Sequence, residues 1–200
     1  MLATILSLDP GLRNYGYSIV RSNGENVRVL RSGLIFTTVT QLTVGLVPQF
    51  KAHSKTIRHL IAEYGVTHLI VERYMSRRMG GITIEAVNIM IGGLLEICTD
   101  MNIYFRCIHS GQWKNASNRS KSGFLEDEYK AGKPEKITPH TVDATMIGLF
   151  AVGMMRGEDP YPLKKLRPGI IVKMIQGSER MDIGELIKPI KKKRGKRGRK

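Results

Sequence analysis

The sequence predicts an α/β domain with a five-stranded mixed sheet, ordered 3-2-1-4-5 and flanked by helices. Three observations carry this. The runs Ala3 to Leu8 and Val66 to Glu72 are apolar almost throughout, as in strands covered on both faces. Strand-like segments at Tyr15 to Val20 and Val27 to Thr37 follow the first run, so the chain opens on three consecutive strands. Helical and strand-like spacing then alternate, giving the order βββαβαβα.

The first run carries Ser7 and ends in Asp9, where Pro10-Gly11 turns the chain and exposes the residue at the strand's end. Asp9 reads equally well as a turn former and as a carboxylate held at the mouth of a sheet. Asn23-Gly24 signals the next turn. From Thr43 to Tyr64, Leu46, Phe50, Ile57, Leu60, Ile61 and Tyr64 recur at near-helical spacing. Gly65 is the expected stop, and Pro48 suits a first turn, so the helix is expected to begin there.

The fourth strand ends in a second acid, Glu72. A basic loop follows, with Arg73, Arg77 and Arg78 before Gly80-Gly81. Ile82 to Cys98 is helical but shows only a narrow polar stripe, Glu85, Asn88, Glu96 and Thr99. A surface helix would show a polar half. Two buried faces are expected, the second covered by a homodimer partner with Gly92-Gly93 allowing close approach, or else by the monomer itself.

Ile103 to Ile108 is the fifth strand. Ser110 to Gly132 loses hydrophobic periodicity and mixes Lys114, Arg119 and Lys121 with Trp113 and Asn115, which suits either nucleic-acid contact or a solvated loop. Thr138-Pro139 opens a helix to about Met155, with His140 and Asp143 three apart in its first turn. Gly169 to Ile175 reads as a possible extra strand, and Lys188 to Lys200 as a disordered basic tail. The expected organisation is a domain over 1–157, an extension over 158–187 and the tail over 188–200.

Two hundred residues fit one domain, burying roughly 70 % of the unfolded surface. No window approaches the ~18 uninterrupted apolar residues of a membrane span, and the N-terminus lacks the basic opening of a secretory signal. Cys98 and Cys107 are too few for a disulfide framework or a zinc site and are expected to be buried, reduced thiols. A cytoplasmic location follows. The net charge is +15, and nine bases fall in the acid-free tail, leaving +6 on the rest. Such a surplus favours polyanions, nucleic acid first.

In a sheet ordered 3-2-1-4-5, strands one and four are neighbours. Asp9 and Glu72 would then end side by side, and a helix crossing them presents His140 and Asp143. Taken singly, each has an ordinary reading: a turn residue, a strand-end charge, a surface histidine, a helix-end acid. Together, three carboxylates and an imidazole call for cations, and carboxylate ligands suit Mg²⁺ or Mn²⁺. Two such ions about 4 Å apart clamp the attacking water and leaving oxygen of a phosphodiester.

Three segments, ILSLDPGLRNYGYSIV at 5–20, LIVERY at 69–74 and HTVDATMIGLFA at 140–151, resemble the RuvC family of Holliday junction resolvases within the RNase H-like superfamily. The resemblance covers roughly residues 3 to 157. It implies an RNase H-like fold and a homodimeric, Mg²⁺-dependent crossover junction endonuclease that nicks a four-way DNA junction symmetrically. By position, Asp9, Glu72 and Asp143 correspond to metal ligands. His140 falls where many members carry a fourth Asp and some carry His, so it ligates a metal, positions water or protonates the leaving oxygen. Family members place an aromatic wedge three residues after the strand-four acid. Here that position is Met75, with Tyr74 before it, and Arg73, Arg77, Arg78, Lys114, Arg119 and Lys121 complete the expected DNA contacts. Compact divergent members occur in bacteriophages and related viruses, an origin this atypical sequence fits, with the host cytoplasm as its site.

Competing readings are a broader flap or RNA-processing nuclease of the same fold and a junction-binding protein without catalysis. An actin-like ATP-binding fold also begins with strand-Asp-x-Gly, but it needs two such domains and a longer chain.

Overall fold

The elements follow the order β1 (Ala3–Asp9), β2 (Asn14–Ser22), β3 (Asn26–Phe36), α1 (Leu42–Tyr64), β4 (His68–Arg73), α2 (Gly81–Asp100), β5 (Tyr104–His109), α3 (Ser110–Ser117), α4 (Pro139–Met155), α5 (Pro168–Ile175) and β6 (Met181–Asp182). The structure is a computed structural model that describes residues 2–11, 14–36, 42–74, 81–117, 137–155, 163, 168–176 and 181–182. The sheet is ordered β5-β4-β1-β2-β3-β6. Its first five strands have the expected order, and β6 adds a two-residue antiparallel pairing to β3.

β1 runs antiparallel to β2 and parallel to β4, and β4 runs parallel to β5. The β2–β3 hairpin turns at Gly24, whose φ is 94°, and Asn23 Oδ1 accepts the backbone N–H groups of Glu25 at 3.1 Å and Asn26 at 2.7 Å. An asparagine side chain bonding its own turn in this way is why Asn-Gly is a strong hairpin signal. α1 ends at Gly65, whose φ of 60° places it in the left-handed region that favours glycine.

Alternate residues of a strand face opposite sides of its sheet. Leu6, Leu8, Leu69 and Val71 join the core under α1 and α2, with Ile57, Leu60, Val87 and Leu94. Ile5, Ile70 and Ile108 join the opposite core with Trp113 of α3, Met146 and Ile147 of α4, and Ile171 and Met174 of α5. Both faces of β1 and β4 are covered, which is why these strands lack polar alternation.

α4 is buried on nearly all sides because the sheet, α3 and α5 surround it. It sits close to the strands: a Cβ added to Gly148 would lie 2.7 Å from Ser7 Oγ. Buried hydroxyls are satisfied across this seam. Ser7 donates to the Ser18 carbonyl at 3.1 Å, and Thr145 Oγ1 lies 3.1 Å from Ser18 Oγ. Ser7 thus ties β1 to β2 where Gly148 lets α4 come close, and Thr145 makes the bond from helix to sheet.

Four expectations are corrected. Gly169 to Ile175 is the body of a helix, not a strand; Ile171 and Met174, three apart, are its fully buried residues. Ser110–Ser117 is a short helix rather than the start of a loop, with Trp113, Ala116 and Ser117 buried. α1 begins at Leu42, so Pro48 lies inside it instead of opening it. Cys98 is buried as expected, but Cys107 is exposed. Among the described residues, no helix is long and apolar enough to cross a membrane.

Candidate active site

The register brings the strand-end acids together. β1 and β4 pair Ser7 with Ile70 and Leu8 with Val71, so Asp9 and Glu72 occupy the next position on each strand. Adjacent strands lie about 4.8 Å apart, and both side chains point to the face covered by α4. On the other side of β1, Asp9 pairs with Gly16 of β2.

Gly16 decides how near α4 comes. A Cβ there would lie 2.6 Å from the carbonyl carbon of His140 and 3.0 Å from its Cβ. Only the missing side chain lets the first turn of α4 rest on the strand beside Asp9. In that position His140 Nδ1 is 2.7 Å from Asp9 Oδ2. This bond, ahead of the opposing effect of burial, raises the pKa of His140, and the charges of Asp9 and Asp143 add to it. The imidazole is thus favoured as a cation beside the acids.

Glu72 has its own partners. The indole N–H of Trp113 donates to Oε2 at 2.7 Å. Lys114 Nζ stands 3.7 Å from Oε1 and 5.0 Å from the centre of the Trp113 ring. Burial pushes Glu72 up to about 7; Lys114 opposes that, Asp9 adds to it, the Trp113 bond opposes it and Asp143 adds to it. Glu72 therefore feels both Asp9 and Asp143 as neighbouring negative charges.

Among the described residues, no group of three or more His, Cys, Asp or Glu side chains is drawn together as a ready metal cage. The acids instead carry protein cations and donors, His140 on Asp9 and Trp113 with Lys114 on Glu72. The donor set nonetheless fits a hard divalent cation. It is built of carboxylates in mutual repulsion, and burial, with Asp9 and Asp143 adding to it, raises the pKa of Glu72 to about 7.

Of the expected DNA contacts, Arg73 is exposed at the end of β4. Tyr74 is half-buried against the α1/α2 core, and burial, then Asp9, push its hydroxyl upward. Lys114 lies at Glu72. Met75, Arg77, Arg78, Arg119 and Lys121 lie outside the described residues, as does the tail. The reading from sequence missed Trp113 as a partner of Glu72 and Gly16 as the seat of His140. Helical spacing of Trp113 with Ala116 and Ser117 was the available signal for the first.

The family model described as crossover junction endodeoxyribonuclease RuvC matches residues 5–95, which include Asp9 and Glu72. The crossover junction endodeoxyribonuclease RuvC of Aliarcobacter butzleri (strain RM4018) is 39% identical over 56 residues, covering 24% of this chain and 36% of its own length. The chain thus spans 36% of that curated relative. Among solved structures, T. thermophilus RuvC in complex with a Holliday junction substrate matches with a TM-score of 0.61 at 15% identity, over 78% of this chain and 96% of that one. A second Thermus thermophilus RuvC structure matches with a TM-score of 0.60 at 18% identity, over 77% of this chain and 96% of its own. These likenesses show the fold, the RNase H-like arrangement expected from the sequence.

Proposed function

We infer, for a chain whose residues 5–95 match the RuvC family model, a divalent-metal-dependent endonuclease that resolves four-way or branched DNA junctions by paired nicks. The observation that carries this reading is the convergence at one sheet end of Asp9, Glu72 and the first turn of α4. The strongly basic sequence supplies the affinity for a polyanion.

Asp9, Glu72 and Asp143 are the proposed ligands of two Mg²⁺ ions, with Mn²⁺ as a substitute. When bound, the ions supply an activated water and charge neutralisation at the phosphate. Asp9 Oδ2 is engaged by His140, which leaves Oδ1 for an ion. The His140 side chain is 40% exposed, and Nε2 is the ring nitrogen that Asp9 does not engage. The pairing with Asp9 favours the protonated ring, and the proposed role is to donate a proton to the leaving oxygen. Arg73, Lys114 and the tail are the proposed backbone contacts.

The paired nicks require two active sites. On the outer face of α2, Ile89 is 49% and Leu95 51% exposed. Gly92 has nothing within 4 Å of an added Cβ, whereas Gly93 faces inward onto Phe50. The apolar stripe through Gly92 is the proposed homodimer face, meeting its own copy about a two-fold axis. The proposed place of action is the cytoplasm, where the free thiols stay reduced.

The test is a synthetic four-way junction, a flap and a linear duplex, each incubated with Mg²⁺ or EDTA. Cleavage of the junction is expected only with Mg²⁺, and Asp9→Asn or Glu72→Gln should abolish it while junction binding persists. Equal cutting of junction and linear duplex overturns the junction reading. Full-rate cleavage by either variant overturns the site.

A further inference from the structure

We propose that Trp113 is a positioning residue for the metal site: its indole N–H fixes Oε2 of Glu72 and leaves Oε1 to meet the ion. This rests on the reading of Glu72 as a metal ligand given above. The hydrogen bond is 2.7 Å long, within the range for charge-assisted N–H···O bonds. The ring that makes it is fully buried in the core shared by Ile70, Ile108 and Met146. A fixed ring makes a fixed donor.

The placement follows from the chain path. β5 pairs Ile108 with Glu72, and α3 begins at Ser110, directly after the strand. Its first turn therefore folds back over the end of β4 and sets Trp113 above the Glu72 carboxylate. The two oxygens of Glu72 are unequal as a result. Oε2 is held by a rigid neutral donor, whereas Oε1 faces Lys114 at 3.7 Å, beyond hydrogen-bond length, on a side chain that is 34% exposed. Lys114 can swing away from Oε1; the indole cannot leave Oε2. Partners that orient a ligand in this way typically change metal affinity 10- to 100-fold when removed.

Trp113 is also the single tryptophan of the chain, so tryptophan emission reports on the ring beside Glu72. The experiment titrates the full-length protein with Mn²⁺ at fixed pH, following tryptophan emission and, in parallel, binding heat by calorimetry. Emission is expected to change with the calorimetric midpoint, and the change should vanish in Glu72→Gln. Trp113→Phe keeps the aromatic volume without the N–H and should bind Mn²⁺ about 10-fold more weakly. Calorimetric binding with unchanged emission, or wild-type affinity in Trp113→Phe, overturns the role of Trp113 and leaves the metal reading standing. Wild-type protein that binds no Mn²⁺ overturns both. If Trp113→Phe fails to fold, the wild-type co-titration still decides.

Discussion

Gly16→Ala tests how the site is assembled. The added Cβ would meet the His140 carbonyl carbon at 2.6 Å and the His140 Cβ at 3.0 Å. These are backbone neighbours, so no rotamer relieves the clash. Carbon atoms rest about 3.5–4.0 Å apart, so the first turn of α4 must retreat by about 1 Å. The His140 Nδ1 to Asp9 Oδ2 distance of 2.7 Å then passes out of hydrogen-bond range. Asp143 moves with it. Overpacking of this kind costs about 1–3 kcal/mol, or about 4–8 °C in Tm at 2 kcal/mol for a chain of this size. The effect on turnover is larger, because a misplacement of about 1 Å near the chemistry costs up to about 100-fold. The assay is single-turnover junction cleavage at saturating DNA and Mg²⁺, beside junction binding in EDTA and a thermal melt. The matching control is Gly153→Ala in the same helix, where an added Cβ meets nothing within 4 Å. That change should be neutral or stabilise by up to about 1 kcal/mol. Wild-type cleavage and an unchanged melt in Gly16→Ala would refute the reasoning.

Three further outcomes are expected. His53 is buried, its Nε2 has no hydrogen-bond partner among the described residues, and burial lowers its pKa from 6.5 to about 4. The unfolded chain takes up the proton first, so this contribution is complete above about pH 6.5 and is lost as pH falls towards 4, roughly 3 kcal/mol in all. Denaturant melts across that window should show a shallower slope in His53→Phe; equal slopes would remove His53 as the cause. Ile89→Glu combined with Leu95→Glu should yield a monomer by light scattering where wild type is a dimer, and a monomeric wild type contradicts the α2 interface. Deleting residues 188–200 should lower the log–log salt slope of DNA binding by about 0.9 for each phosphate the tail would otherwise neutralise, with cleavage chemistry retained; an unchanged slope removes the tail from the DNA interface.

The parts of the fold that were legible owe it to burial on two faces. β1 and β4 are apolar without alternation because helices cover both sides of the sheet. Their terminal acids therefore stood out as the positions where apolar patterning stops. The Pro168–Ile175 helix was illegible for the related reason that a short run of Ile and Val fits a strand and a buried helix equally well. Only the packing of Ile171 and Met174 against the β3 side distinguishes them. Trp113 was obscured by company: a tryptophan between Gln112 and Lys114 reads as a surface aromatic among polar residues. In an eight-residue helix, one buried face amounts to three side chains.

The electrostatics of the site explain why its acids could be found by position and its partners could not. Asp9 and Glu72 sit at the ends of strands whose pairing is fixed by hydrophobic register, so their meeting is dictated by long-range sheet order. The groups that balance them come from local chain geometry: a glycine that lets a helix approach, and a helix that starts without a linker after β5. Both place a donor against a carboxylate, His140 on Asp9 and Trp113 on Glu72. The consequence is directional. His140, whose protonated form Asp9 favours, and Lys114 stand against the acids as positive partners, and on the proposed metal reading an ion would compete with them for the same carboxylates. A His140→Asp variant therefore exchanges a resident positive charge for a further negative one. Its acids should repel more strongly in EDTA and bind Mn²⁺ more tightly. Calorimetric affinity equal to or weaker than wild type would refute the view that the positive charge of His140 opposes the metal.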